Sequence, residues 1–152
     1  MKLSTRGRYA VMAMADMAQQ VSAGAPSPLR LGAIATRQEI SLAYLEQIFS
    51  DLRRHGLVQS TRGAHGGYSL AKDATEINVS DIVLAVDEPL DVTRCRQSGA
   101  CMSNHVRCLT HDLWDNLGRQ IETYLQSVSL ADVIAGDKVE PKIGGEHNAH
   151  LS

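Results

Sequence analysis

The stretch ISLAYLEQIFSDLRRHG, residues 40–56, decides the fold. Leu42, Leu45, Phe49 and Leu52 recur at offsets of 3, 7 and 10 and mark one apolar stripe of a helix, with Ile48 on its flank. Ser41 stands before the stripe as an N-cap, and Gly56 follows it as a C-terminal stop. At about 100° per residue, Gln47 falls opposite the stripe. Ala43, Tyr44, Asp51 and Arg54 share that outer face, and Glu46 lies at its edge. A helix built this way fits a DNA major groove, where one face must be buried and the other must offer short polar or bidentate side chains.

Upstream, Ala10, Ala13, Met14, Met17, Ala18 and Val21 form the stripe of an amphipathic helix expected over 8–21. Gly24, Pro26 and Pro28 break it. A short helix carrying Leu31, Ile34 and Ala35 then leads to a turn at residues 39–41. Downstream, strand-like runs at 57–61 and 68–71 flank the glycine-rich connection RGAHGG, residues 62–67. A fourth helix is expected from Asn78 to just before Pro89, with Val79, Ile82, Val83 and Val86 inward. Residues 91–110 have no periodicity. A long helix over 110–128 carries Trp114, Leu117, Ile121, Tyr124 and Val128 at heptad spacing, widened by Leu113 and Leu125. A further turn of helix is expected at 130–134, and from residue 137 the chain is polar and reads as a mobile tail.

Three helices followed by a hairpin is the element order of a winged helix-turn-helix. The expected class is therefore mainly α with a small β-wing: a winged helix-turn-helix domain over 1–90, a cysteine-bearing loop over 91–110, a dimerisation helix over 111–136 and a tail over 137–152. In such a domain, Ser41, Tyr44, Glu46 and Gln47 face DNA from the recognition helix, Arg62 and Gly63 from the wing tip, and Arg6 and Arg8 from the first helix. Gln47 can pair with adenine, and Glu46 can only accept, which favours cytosine N4. Arg62 beside glycines suits a narrow, electronegative minor groove.

The whole-chain charge points the other way. The 152 residues hold 15 Lys and Arg against 17 Asp and Glu, a net −2, whereas a nucleic-acid binder usually shows a basic surplus. Divided at residue 72, however, the N-terminal part carries nine positive and four negative side chains, net +5, and the remainder carries −7. Basic charge thus gathers on the helix-turn-helix, where phosphate contact would use it. Apolar residues make up 43% and charged residues 21%, which excludes wholesale disorder. No apolar run approaches the roughly 18 residues of a membrane span, and no signal-peptide pattern is present, so a cytoplasmic protein without membrane contact is expected.

Cys95, Cys101, Cys108 and His111 read as C-x5-C-x6-C-x2-H, four ligand-type side chains within 17 residues. Three thiolates and an imidazole can complete a tetrahedral zinc site or the terminal positions of an iron–sulfur cluster. His105 lies nearby as a fifth ligand type, whereas His55, His65, His147 and His150 read as surface or tail residues. A Cys108–His111 nucleophile pair lacks a third orienting group, so an enzyme is the weakest reading.

The sequence resembles the IscR family of iron–sulfur cluster regulators, bacterial winged-helix transcription factors. The resemblance rests on LSTRGRYAV (residues 3–11), ISLAYLEQIFS (40–50), Arg62-Gly63 through Gly66-Gly67-Tyr68, AVDE (85–88), VTRC (92–95) and CLTHDLW (108–114), and covers about residues 1–135. The last motif joins a cysteine, the histidine and the tryptophan in one register. The resemblance implies a homodimer with one 2Fe–2S cluster per subunit, ligated by Cys95, Cys101, Cys108 and His111. It also implies base reading by Tyr44, Glu46 and Gln47 with Arg62 from the wing, and a double-stranded DNA operator chosen according to cluster occupancy. The holo-form would repress the genes of cluster assembly, and the assembly proteins would donate the cluster. Related regulators that sense nitric oxide or iron through a 4Fe–4S cluster lack the histidine at this register. The chain departs from the family pattern in a second cysteine interval one residue longer, in Ala43 where a serine is frequent, and in Ala64 and His65 at the wing tip.

Overall fold

A computed structural model of the chain describes residues 4–86 and 109–136. The elements follow in the order α1 (Thr5–Ser22), α2 (Leu31–Gln38), α3 (Leu42–Arg54), β1 (Val58–Thr61), β2 (Gly67–Leu70), α4 (Val79–Val86), α5 (His111–Ser127) and α6 (Leu130–Ala135). The mainly helical winged fold expected from the sequence is therefore present. Cys95, Cys101, Cys108, the rest of the segment 87–108 and the tail from 137 lie outside the described residues, as do the expected boundaries at 90 and 137.

α1 begins three residues earlier than its apolar stripe suggests. Ser4 caps it, its hydroxyl accepting the Gly7 N–H at 3.1 Å. The core is aliphatic and sulfur-rich: Met14 and Met17 of α1, Ile34 of α2, Leu45, Ile48, Phe49 and Leu52 of α3, Ile77, Ile82 of α4 and Leu130 of α6 are fully buried together. Phe49, the only phenylalanine, meets the Tyr68 ring edge-on at 5.0 Å and joins α3 to the wing.

α3 corrects the stripe read from the sequence. Ile48, expected on the flank, is fully buried, while Leu42, expected in the stripe, is 45% exposed. At 100° per residue the buried set Leu45, Ile48, Phe49 and Leu52 centres about 70° away from Leu42, so Leu42 sits on the edge of the buried face.

Asp16 of α1 is a buried acceptor. It takes two hydrogen bonds from the Arg37 Nε (3.0 and 3.2 Å), one from Arg37 Nη2 (2.7 Å) and one from Gln38 Nε2 (2.8 Å). This lock fixes α1 against the C-terminal end of α2. Glu39, at φ 54, then turns the chain into α3.

The wing is an antiparallel hairpin in which Val58 pairs with Leu70 and Thr61 with Gly67. A third segment joins it: Leu29, just before α2, exchanges hydrogen bonds with Tyr68 at 2.8 and 2.7 Å. This approach is close enough to demand glycine at position 67, because a Cβ there would lie 2.2 Å from the Leu29 carbonyl oxygen.

The C-terminal part is stitched back onto the domain. Val79 N–H donates to Val128 O at 2.9 Å, and Leu130 N–H donates to Ile77 O at 2.8 Å. Val79, Val83 and Val128 form a small second core against Tyr124 and Leu125. The heptad seam of α5 is therefore divided. Its C-terminal end packs within the chain, whereas Leu113 and Trp114 near its start are 59% and 42% exposed. Among the described residues, no helix is long and apolar enough to cross a membrane.

Candidate nucleic-acid interface

Ser41 caps α3 as expected, its hydroxyl accepting the Tyr44 N–H at 3.3 Å. With the opposite face packed in the core, α3 presents Ala43, Glu46 and Gln47 to solvent. Glu46 and Gln47 make no side-chain hydrogen bond among the described residues, so both hold their full donor and acceptor capacity for a base edge.

Tyr44 and Arg6 are positioned differently from that open face. Tyr44 is half-buried, edge-on to Tyr9 at 5.9 Å, and the Arg6 guanidinium lies 6.0 Å from its ring centre. Arg6 donates its Nε to the Val86 carbonyl at 2.9 Å and an Nη to the Asp51 carboxylate, which also accepts from Arg54. Arg6 therefore ties α1 to both α3 and the end of α4, and its guanidinium is engaged within the domain. Burial opposes ionisation of Asp51, but the hydrogen bonds from Arg6 and Arg54 outweigh it and hold the carboxyl below the usual carboxylate range. Arg8, two residues along α1, is exposed.

The wing tip carries Arg62, exposed and directly after β1, with Gly63 in a left-handed conformation at φ 111. Two arginines that the sequence reading did not assign brace this hairpin. Arg30 donates to the Ala64 carbonyl at 2.7 Å, and Arg53 reaches the Ser60 hydroxyl at 3.4 Å. The wing is thus fastened to the start of α2 and to the last turn of α3. The signal for Arg53 was present in the basic last turn of α3; that for Arg30 was not, because its partner is 34 residues away.

Of the expected ligand set, His111 alone lies within the described residues. It opens α5 and is half-buried. Trp114 braces this turn, its Nε1 donating to the Thr110 hydroxyl at 3.2 Å.

An open polar face on a capped helix, a braced basic wing and a helix-turn-helix core are the parts of a DNA-binding domain. The Rrf2 family, described as an iron-dependent transcriptional regulator, matches residues 3–136. The transcriptional regulator IscR of Photorhabdus laumondii is 47% identical over 97% of this chain and 88% of its own, and that of Escherichia coli is 45% identical over the same shares. Among solved structures, T. potens IscR aligns with a TM-score of 0.70 at 37% identity over 89% of this chain and 87% of its own. CymR, the global cysteine regulator of B. subtilis, aligns with 0.74 at 30% identity over 89% and 97%. The relatives are regulators, and the chain is accordingly a DNA-binding transcriptional regulator and not an enzyme. It belongs to the Rrf2 family, on the branch of the IscR regulators.

Proposed function

We propose that this chain works as a homodimer that selects its operator according to whether Cys95, Cys101, Cys108 and His111 hold a 2Fe–2S cluster, and that the loaded form represses the genes of cluster assembly. The observation that carries the reading is the position of His111, three residues beyond Cys108 and at the head of a 17-residue helix. The donor set fits the group. Three thiolates and one imidazole fill the four terminal positions of a two-iron cluster. The N-terminal end of α5 favours the net negative charge that three thiolates bring. When bound, the cluster supplies a removable redox centre whose presence reports iron and sulfur supply.

The remaining roles belong to the chain itself. Glu46 and Gln47 read base edges, Ser41, Tyr44 and Arg8 approach the backbone, and Arg62 with Gly63 at its side enters the adjacent minor groove. Arg6 positions α3 through Asp51. Leu113, Trp114 and Leu117 form the apolar surface that a second copy covers. Glu46 disfavours sites that offer it no donor.

The test is purification under strict anaerobiosis, with an absorption spectrum and metal and sulfide analysis, followed by selection of preferred duplexes from random-sequence DNA with and without the cluster. Visible charge-transfer bands, two iron per chain and a sequence preference that shifts on cluster loss are expected. Cys101→Ala should lose both the bands and the shift. A colourless protein with stoichiometric zinc, or a Cys101→Ala variant that keeps the shift, overturns the proposal.

A further inference from the structure

We propose that Leu42 reads the 5-methyl group of a thymine in the operator, an inference that rests on α3 being the major-groove helix. Leu42 opens α3, directly after the N-cap Ser41. Residues at the N-terminal end of a recognition helix are the ones that reach base edges. The side chain is large, apolar and 45% exposed, although Leu45, Ile48, Phe49 and Leu52 of the same helix are fully buried. It has neither donor nor acceptor, so it can bond neither a phosphate nor the polar edge of a base.

The neighbours of Leu42 define what it can contact. Glu46 follows one turn later on the same side of the helix, and exposed Ala43 lies beside it. The first turn of the recognition face is thus apolar and the second is polar. A rise of about 6 Å between Leu42 and Glu46 spans one to two base pairs of a duplex. Thymine is the one base that offers a methyl group in the major groove, and apolar side chains are its partners there. An alanine-sized residue at position 43 leaves room for the leucine to meet that methyl. The local charge agrees with DNA as the occupant of this surface, because residues 1–72 carry a net +5 within a chain of net −2.

The experiment uses the full chain, purified anaerobically, and the duplex it selects from random-sequence DNA. Each thymine of the half-site is replaced in turn by deoxyuridine, which removes the methyl and leaves every hydrogen-bonding group. At one position in each half-site, uridine should weaken binding by the wild type about 3- to 5-fold, the value of one buried methyl. Leu42→Ala should bind the thymine and uridine duplexes equally. Leu42→Met, which keeps an apolar contact, should retain most of the discrimination. Melting of Leu42→Ala should match the wild type, because the residue stands outside the core. If a duplex is selected and no uridine position separates the wild type from Leu42→Ala, Leu42 does not read thymine and the DNA-regulator reading stands. If Leu42→Ala instead dissociates the dimer at unchanged thymine preference, the leucine belongs to a protein interface and the proposal falls. If no sequence is selected at all, both readings fall together.

Discussion

Replacing Gly67 by alanine tests whether the wing and the helix-turn-helix form one rigid body. The added methyl would stand 2.2 Å from the Leu29 carbonyl oxygen, 2.7 Å from its carbonyl carbon and 3.3 Å from the Arg30 nitrogen. All three are backbone atoms, so no side chain can swing aside. Relieving the contact to an ordinary carbon–oxygen separation of about 3.3 Å requires a shift of about 1 Å. The two hydrogen bonds between Leu29 and Tyr68, now 2.8 and 2.7 Å, would then exceed bonding distance. At about 1 kcal/mol net for each, the loss is about 2 kcal/mol, or roughly 8 °C in Tm for a domain of this size. Gly32→Ala is the matched control. Its methyl meets nothing within 4 Å, and inside α2 it should stabilise by about 0.5–1 kcal/mol. The assay is thermal unfolding followed by circular dichroism, with DNA affinity measured on the same samples. Gly67→Ala should melt lower and bind DNA more weakly, because Arg62 moves with the hairpin. A Gly67→Ala protein that melts within about 2 °C of the wild type and keeps its DNA affinity would show that Leu29 is not a structural member of the wing.

Three further outcomes are expected. Arg37→Ala should cost about 2–3 kcal/mol by leaving the Asp16 carboxylate buried with only Gln38, whereas Asp16→Ala should cost about 1 kcal/mol because Arg37 reaches water, and the double variant should resemble Asp16→Ala; denaturant melts that give additive losses would remove the lock. The Asp51 carboxyl is held below its unfolded value, so its contribution is fully present above about pH 4 and is lost as pH falls through the lowered folded value; the stability gap between wild type and Asp51→Asn should shrink between pH 7 and pH 3, and an unchanged gap in urea melts would contradict the ion pairs with Arg6 and Arg54. Trp114→Glu should sediment as a 16.5 kDa monomer while the unaltered chain sediments at twice that mass, and a dimeric variant would place the self-association surface elsewhere.

Much of the fold was legible because periodicity is a local property. The stripes of α1 and α4, the Ser41 cap, the glycine-rich hairpin and the length of α5 all follow from residues a few positions apart. What escaped depends on partners far along the chain. Asp16 meets Arg37 across 21 residues, Arg6 meets Asp51 across 45, and Leu29 pairs with Tyr68. Nothing in the sequence distinguishes a brace such as Arg6 from a phosphate contact such as the one expected of Arg8, since both are arginines on the same helix. The exchange of Leu42 and Ile48 has a related cause. Counting turns finds the axis of a stripe, but its edges are set by which neighbouring helices reach far enough to cover them. Glu46 and Gln47 are exposed as their place in the periodicity predicts.

Among the described residues, the packing of α5 onto α4 gathers at its C-terminal end. Tyr124, Leu125 and Val128 fasten it to α4, while His111 and Trp114 stand about 20 Å away along the helix axis. The helix is a lever of that length. A rotation of 5° about the clamped end carries His111 through roughly 2 Å, more than half a base-pair step. Conversely, fixing the far tip and letting the root turn would swing the domain that the Leu29 pairing and the Asp16 lock brace through the same angle. The reach of this lever is set by the length of one helix, so inserting or deleting a single turn between Trp114 and Tyr124 would change it without altering α3 or the wing.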